Sequence, residues 1–428
     1  MKSLYERFDQ SKGICTDSRK MRSGQIFFAL KGDNFNGNHF ANEALKNGAS
    51  AVVVDEIIEA LDYDNRNVFL VENVLTYLQN FSTHHRKKWG KTIIGLTGSN
   101  GKTTVKELLF NVLNQGYSTH ATEGNYNNHI GVPLTLLGIR NSHDIVIVGM
   151  GANHIGEIKT LCEINLPTYG YITNFGLAHL EGFGGIEGVI KGKSELYDHL
   201  GKHDSISFIN PNDSIAMKNC NPQNVHFIDG VNFFYEFGFL GVSFGAERIL
   251  THLTGSYQED NVLAAITIGR HFKIDDKKIA EGVANYIPQN NRGQIFETDK
   301  NTVFLDAYNA NPTSMEASLR NAANLCKEMP HVYIAGGLLE LGEHSKLHHQ
   351  KMVGVFQELK IKNAWFIGKH FQDCQMPPNY HKFEDTSHAL QALKKNKSIK
   401  VLFGSKDQEV LRLKSFLTSS KYSIEDQF

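Results

Sequence analysis

From Thr92 the chain reads TIIGLT, a short apolar run, then GSNGKT, and then a stretch in which Val105, Leu108, Leu109, Val112 and Leu113 recur at i, i+3, i+4, i+7 and i+8. The first run has the length and β-branched character of a buried strand, and the later spacing puts five apolar side chains on one helix face. The same alternation recurs along the chain. Strands are predicted at Ala51–Val54, Thr92–Leu96, Ile145–Val148, Tyr171–Thr173, Thr302–Leu305, Val332–Ala335, Ala364–Ile367 and Lys400–Phe403. Several end in Gly, Asn or Asp before a helical period, an order that predicts an α/β protein with mostly parallel sheets.

A chain of 428 residues is too long for one ordinary core, and at about 100–200 residues per domain it predicts two to four domains. Three are expected, at 1–84, 85–295 and 296–428. The polar, basic stretch STHHRKKWGK reads as a linker after the first, and IPQNNRGQ interrupts the pattern before the third. With 44 basic and 45 acidic residues the formal charge is −1, so no global field recruits nucleic acid or an anionic membrane, and a small-molecule partner is expected. The N-terminus MKSLYERFDQ lacks a secretory apolar region, and no run approaches the roughly 18 apolar residues that span a bilayer, which predicts a cytoplasmic protein. Cys15, Cys162, Cys220, Cys326 and Cys374 are scattered without a CxxC pair, as suits reduced thiols.

The glycine turn between strand and helix is the first candidate for chemistry. In that setting the backbone N–H groups of Gly98, Ser99, Asn100, Gly101, Lys102 and Thr103, with Thr104 following, surround a polyphosphate at a helix N-terminus. Lys102 adds charge, and the Thr103 hydroxyl is placed to ligate Mg²⁺. The P-loop pattern GxxxxGK[ST] is met except at its first glycine, where Leu96 stands. A nucleotide is implied, but the reaction is not. Two weaker patterns carry no chemistry: His344, His348 and His349 lack the carboxylate of a zinc motif, and GFGGIEG has Glu187 where a dinucleotide fingerprint needs its third glycine.

The reaction comes from a resemblance. TGSNGKTT, TEGNYNNHIGVPLTLL, TNFGLAHLEGFGG, KGKSELYDHL and DAYNANPTSMEASL, with TDSR and IFFALKG before them and GGLLELGEHS after, resemble in content and order the Mur ligases of peptidoglycan synthesis. YNANP and GNYNNHIGVP resemble most the branch that joins D-alanyl-D-alanine to UDP-N-acetylmuramoyl-tripeptide. The resemblance implies an ATP-dependent, ADP-forming amide ligase of cell-wall synthesis, with an N-terminal domain for the UDP-substrate, a central P-loop ATPase domain and a C-terminal Rossmann-like domain. It implies ATP and Mg²⁺, no nucleic acid or membrane partner, and a monomer. The substrate carboxylate takes the γ-phosphoryl group, and the dipeptide amine attacks the acyl phosphate.

By the same resemblance Lys193 is the lysine carbamylated by CO₂, and His179 is a metal-site histidine beside Thr103. Asn261, Arg292 and Asp306 are nucleotide contacts. Asp17, Ser18, Arg19, Asn125, Asn127, Asn128, Tyr308, Asn309 and Asn311 are substrate contacts. Asn and Asp also favour turns and caps on their own account. The chain departs from the family pattern at Gly149, where a metal-binding glutamate is usual, and at Gly337, where an aspartate is usual. Gln258 replaces an asparagine, Phe403 a lysine and Lys406 an arginine. These departures keep two other readings open, a precursor- or nucleotide-binding protein of the same fold with weakened catalysis, and a related ligase that adds an amino acid to another acceptor.

Overall fold

The computed structural model describes residues 2–59, 61–289, 292–297, 302–306, 310–325, 332–394 and 401–402. Tyr308, Asn309, Cys326, Phe403 and Lys406 lie outside the described residues.

A four-stranded parallel sheet opens the chain, in the order Ile14–Cys15, Ile26–Phe28, Ala51–Val54, Val68–Leu70. Side chains alternate across a strand, so Ala51 and Val53 enter one core with Leu4, Phe8 and Phe81, while Val52 and Val54 enter another with Ala41 and Ala44. The helix closing this unit, Val74–Trp89, starts at an Asn73 cap that accepts from Thr76 N–H (2.8 Å) and ends at Gly90, whose φ is +70°.

That helix overturns the linker expectation for STHHRKKWGK and runs through residue 84. Ser82, His85, Arg86 and Trp89 are buried, and the Arg86 guanidinium donates to the carbonyls of Asn165 (3.0 Å) and Leu166 (3.1 Å). A basic run signals solvent only when its face is unpartnered, and here the partners are 79 and 80 residues away in sequence.

The central sheet has six parallel strands, in the order Asn224–His226, Ile206–Ile209, Tyr169–Ile172, Thr92–Thr97, Ile145–Gly149, Thr119–Ala121. Val105, Leu108, Leu109, Val112 and Leu113 of the Lys102–Leu113 helix are fully buried against one face, with the Glu259–His271 and Asp276–Ala284 helices. The other face carries Glu157–Asn165 and Ile186–Lys202. Chain order reverses on either side of Thr92–Thr97, so a crevice opens at the carboxyl ends of the strands there, where α/β sheets bind ligands.

Two antiparallel sheets lay outside the sequence reading: the short pair Lys31–Gly32 and Phe35–Asn36, and the three strands Asn232–Glu236, Phe239–Phe244 and Glu247–Leu250. The first turn of the three-stranded sheet has two residues, Phe237 (φ +51°) and Gly238 (φ +82°), the signs a type I′ hairpin needs. The last third pairs Gln294–Glu297 with Thr302–Leu305, and the latter with Val401–Leu402. A second parallel sheet runs Tyr333–Gly336, Ala364–Ile367, Tyr380–Phe383, flanked by Pro312–Leu325 and Ser345–Glu358. The protein is α/β with mostly parallel sheets. Two strands are displaced from their predicted bounds, Tyr169–Ile172 and Tyr333–Gly336, and Thr173 turns its hydroxyl to the Asn100 carbonyl (2.5 Å). No helix among the described residues is long and apolar enough to cross a membrane.

Candidate active site

The loop after Thr97 has no room for side chains at two glycines. A Cβ on Gly98, at φ +140°, would lie 2.0 Å from Thr173 Oγ1, and one on Gly101, at φ +80°, would lie 2.6 Å from Asn261 Oδ1. Both backbones therefore approach side chains too closely for a Cβ, and one of these, Thr173, also bonds the loop through the Asn100 carbonyl. Ser99 N–H donates to the Asn174 carbonyl (3.1 Å), Ser99 Oγ to the Gly176 carbonyl (2.8 Å), and Asn100 N–H to Asn174 Oδ1 (3.0 Å). Thr173 and Asn174 are loop-holding residues that the sequence reading did not single out, although TNFG was part of a recognised block. Gly101→Ala is expected to weaken ADP binding at least tenfold by isothermal titration while the thermal melt stays within a few degrees, because the clash falls on the loop and not on the core.

The loop forms one wall of a cavity of about 660 Å³. Ser99 through Thr104 line it, and Asn125, Asn127, Asn128, His179, Asn261, Arg292 and Asp306 are among the other residues of its wall. Asn311 joins them from outside the lining: its Nδ2 donates to Asn100 Oδ1 (2.7 Å), and Ser314 N–H donates to its Oδ1 (2.9 Å). Most of the expected residues are thus in one place. Asp17, Ser18 and Arg19 are not in this cavity. Asp17 caps the Ser18–Lys20 turn and pairs with the Arg19 guanidinium at 2.8 and 2.9 Å. Asn128 also caps, accepting from Ile130 (3.1 Å) and Gly131 (2.9 Å).

The cavity wall carries both signs of charge, Lys102 and Arg292 against Glu157 and Asp306. Lys102 Nζ folds back onto the Gly98 and Ser99 carbonyls at 2.5 and 3.2 Å. Burial and the positive charges of Lys193 and Arg292 push its pKa well below the usual lysine range. Asp306 is pushed up by burial, against the opposing pull of the Ser318 hydroxyl, Arg292 and the Gly293 N–H. Asn261 Nδ2 donates to Gln258 Oε1 (2.7 Å), so the departure at Gln258 still holds its neighbour.

Lys193 sits behind the cavity wall on the Ile186–Lys202 helix, 2 % exposed, with Nζ 3.3 Å from the Ala152 carbonyl and 5.2 Å from the Phe183 ring centroid. Burial lowers its pKa to about 8, opposed by Glu157 and Glu195. His179, at φ +54°, contacts the Glu340 carboxylate through Nδ1.

Gly149 N–H donates to Thr122 Oγ1 (3.0 Å), and nothing lies closer than 3.9 Å to its Cβ position, so a side chain would fit there and none is present. Glu157, unforeseen in the sequence reading, brings a carboxylate to the cavity, but it already accepts from Asn153 N–H (2.6 Å) and His154 N–H (3.2 Å). At Gly337 a Cβ would meet the His370 ring at 3.1 Å. No cluster of three His, Cys, Asp or Glu among the described residues is arranged to hold a metal ion.

Three family descriptions match the chain in succession: "Mur ligase family, catalytic domain" at residues 10–86, "Mur ligase middle domain" at 96–269 and "Mur ligase, glutamate ligase domain" at 291–406. The chain is 30 % identical to the UDP-N-acetylmuramoyl-tripeptide--D-alanyl-D-alanine ligase of Bacillus subtilis, over 90 % of this chain and 88 % of that protein. It is 32 % identical to the Escherichia coli ligase of the same name, over 84 % and 85 %. Among solved structures, MurF from Acinetobacter baumannii superposes with a TM-score of 0.83 at 25 % identity, covering 96 % of this chain and 98 % of that one. MurF from Thermotoga maritima in complex with ADP has the same fold, with a TM-score of 0.81 at 24 % identity over 98 % and 99 %. From its N-terminal sheet to its last strands, the chain belongs to the Mur ligase family.

Proposed function

We propose that this chain joins D-alanyl-D-alanine to UDP-N-acetylmuramoyl-tripeptide with ATP as the energy source, forming ADP and phosphate in cytoplasmic peptidoglycan precursor synthesis. The observation that carries the reading is one cavity lined by a phosphate-type loop together with Asn125, Asn127, Asn128, Arg292 and Asp306. A carboxylate is a poor electrophile, so it must first gain a leaving group. A tripeptide carboxylate oxygen attacks the γ-phosphorus and ADP leaves; the dipeptide nitrogen then attacks the acyl carbon, loses a proton, and phosphate leaves.

Two anions must meet in the first step. The N–H groups of the loop and the Lys102 ammonium offset their repulsion in a site where water is scarce. Arg292 and Asp306 fit the nucleotide, Asn261 the base, and Asn125, Asn127, Asn128 and Asn311 the second substrate and the phosphates. Asp17, Ser18 and Arg19 fit the UDP end, in a domain of its own. A three-domain division near 1–84, 85–295 and 296–428 and a monomeric enzyme belong to the same reading.

The donor set suits a hard cation shared with the nucleotide: the Thr103 hydroxyl and the His179 ring are in the wall, and a carbamate on Lys193 would add an anionic oxygen. Mg²⁺, when bound there, neutralises phosphate charge. The buried Lys193 amine, lowered to about 8, supports carbamylation by CO₂, since the neutral amine is the form that reacts.

Phosphate release by the purified protein with ATP, Mg²⁺, bicarbonate, UDP-N-acetylmuramoyl-tripeptide and D-alanyl-D-alanine, each omitted in turn, tests the proposal. Release that requires both the tripeptide and the dipeptide is expected. Release that needs neither acceptor, or none with all present, would sink it.

A further inference from the structure

The Leu338–Glu343 turn lies in the last third of the chain, yet it touches residues 179–181 at the cavity. Its base is firmly held. Leu338 and Leu341 are buried, Leu338 N–H donates to His349 Nε2 (2.9 Å), and His349 Nδ1 donates to the Ser345 carbonyl (2.7 Å). Those two bonds require one neutral tautomer, and burial pushes the His349 pKa down to about 4, which keeps the ring neutral.

From that base the backbone passes through left-handed conformations at Glu340 (φ +61°) and Gly342 (φ +53°). Gly342 fits against Glu181, whose Cβ is 3.3 Å from the position a Gly342 Cβ would take, and Glu181 N–H donates to the Glu340 carbonyl (3.3 Å). The Glu340 carboxylate then meets His179 Nδ1 in a close ion-pair contact that lies outside hydrogen-bond geometry, and because a carboxylate against the ring's lone pair is repulsive, the contact places the ring proton on Nδ1. The His179 side chain is 20 % exposed while Nδ1 is fully buried, so the accessible part of the ring is the rest of it, on the cavity side.

We propose that Glu340 is a positioning residue for His179, fixing the tautomer with the proton on Nδ1 and leaving Nε2 as the lone-pair nitrogen that faces the phosphates and their cation. A carboxylate against one ring nitrogen sets the tautomer. The two residues lie in different matched family domains, 291–406 and 96–269. His179 is therefore oriented only when these domains are apposed, which ties domain closure to a competent site. The Glu340 side chain is 47 % exposed, so the pair itself adds little to stability, and its loss should spare the fold. This inference rests on the cavity being the phosphate site, but its first readout does not depend on turnover.

The test is the imidazole nitrogen spectrum of the ¹⁵N-labelled full chain above the histidine titration range, with His179 assigned by the signal missing in His179→Gln. Wild type is expected to show the Nδ1–H tautomer, and Glu340→Ala a shift toward Nε2–H. The same variant should lose about tenfold to 100-fold in kcat with the KM for ATP within about twofold, the range seen when such outer partners are removed. Glu340→Gln, which keeps an acceptor oxygen, should recover the tautomer and most of the rate. If Glu340→Ala melts early, Glu340→Leu is read in its place. An Nε2–H tautomer in wild type, or an unchanged tautomer and kcat in the alanine or leucine variant, overturns the proposal. Absent phosphate release in a wild type that shows Nδ1–H counts against the ligase reading alone.

Discussion

Lys102→Ala is expected to lower kcat for ligation by at least about 10²–10³, the usual cost of removing one charge-stabilising group from a water-poor site. The free protein keeps this ammonium at a cost: burial and the Lys193 and Arg292 charges all favour its neutral form. A polyphosphate reverses that balance, so its binding must raise the Lys102 pKa and draw a proton from solution at alkaline pH. Calorimetric titration with ADP in buffers of different ionisation enthalpy measures that uptake. Wild type should take up protons as pH rises and Lys102→Ala should not. Near-wild-type turnover in the variant would mean that the loop is not where the phosphoryl group is transferred.

Lys193→Ala is expected to be inactive and partly rescued by a short-chain carboxylic acid, which replaces the anionic oxygens of the carbamate. With its pKa at about 8, roughly a tenth of the amine is neutral at pH 7, against about three parts in ten thousand for an ordinary lysine. Because CO₂ reacts with the neutral amine, reactivation of bicarbonate-depleted enzyme at a fixed concentration of dissolved CO₂ should slow about tenfold for each pH unit below 8. Carbamylation would also remove one of the two cations that depress Lys102, so the two lysines are coupled through charge. A rate unchanged by bicarbonate depletion and by the alanine substitution would end the carbamate reading.

The departures from the family pattern bear on these predictions. Gly149 offers no carboxylate, so in the proposed reading any cation would depend more on Lys193 and His179. Phosphate release with all components present therefore also tests whether a Mur ligase tolerates glycine at this position. The weakened-catalysis reading is separated from the ligase reading by the same measurement, since both bind nucleotide and only one consumes it.

What could be read from sequence alone was local. The strand at Thr92, the glycine turn and the apolar face from Val105 to Leu113 follow from short-range sterics and a 3.6-residue period, and all are present in the fold. Family blocks extended that reading to His179, Asn261, Arg292 and Asp306, which the cavity brings together. Two errors were of one kind. STHHRKKWGK looked solvated because its burial depends on carbonyls in another unit, and the Asn232–Leu250 sheet was hidden because Phe237 adopts a left-handed turn that its type does not signal.

Only the tertiary structure decided which side chains meet. Asn311 reaches Asn100 across 211 residues, Glu340 reaches His179 across a domain interface, and Lys193 and Arg292 come near enough to Lys102 to lower its pKa. Spacing along a chain constrains neighbours within a helix turn or strand pair. Convergence of charges through space, and the burial that magnifies it, exists only once the packed elements have excluded water between them.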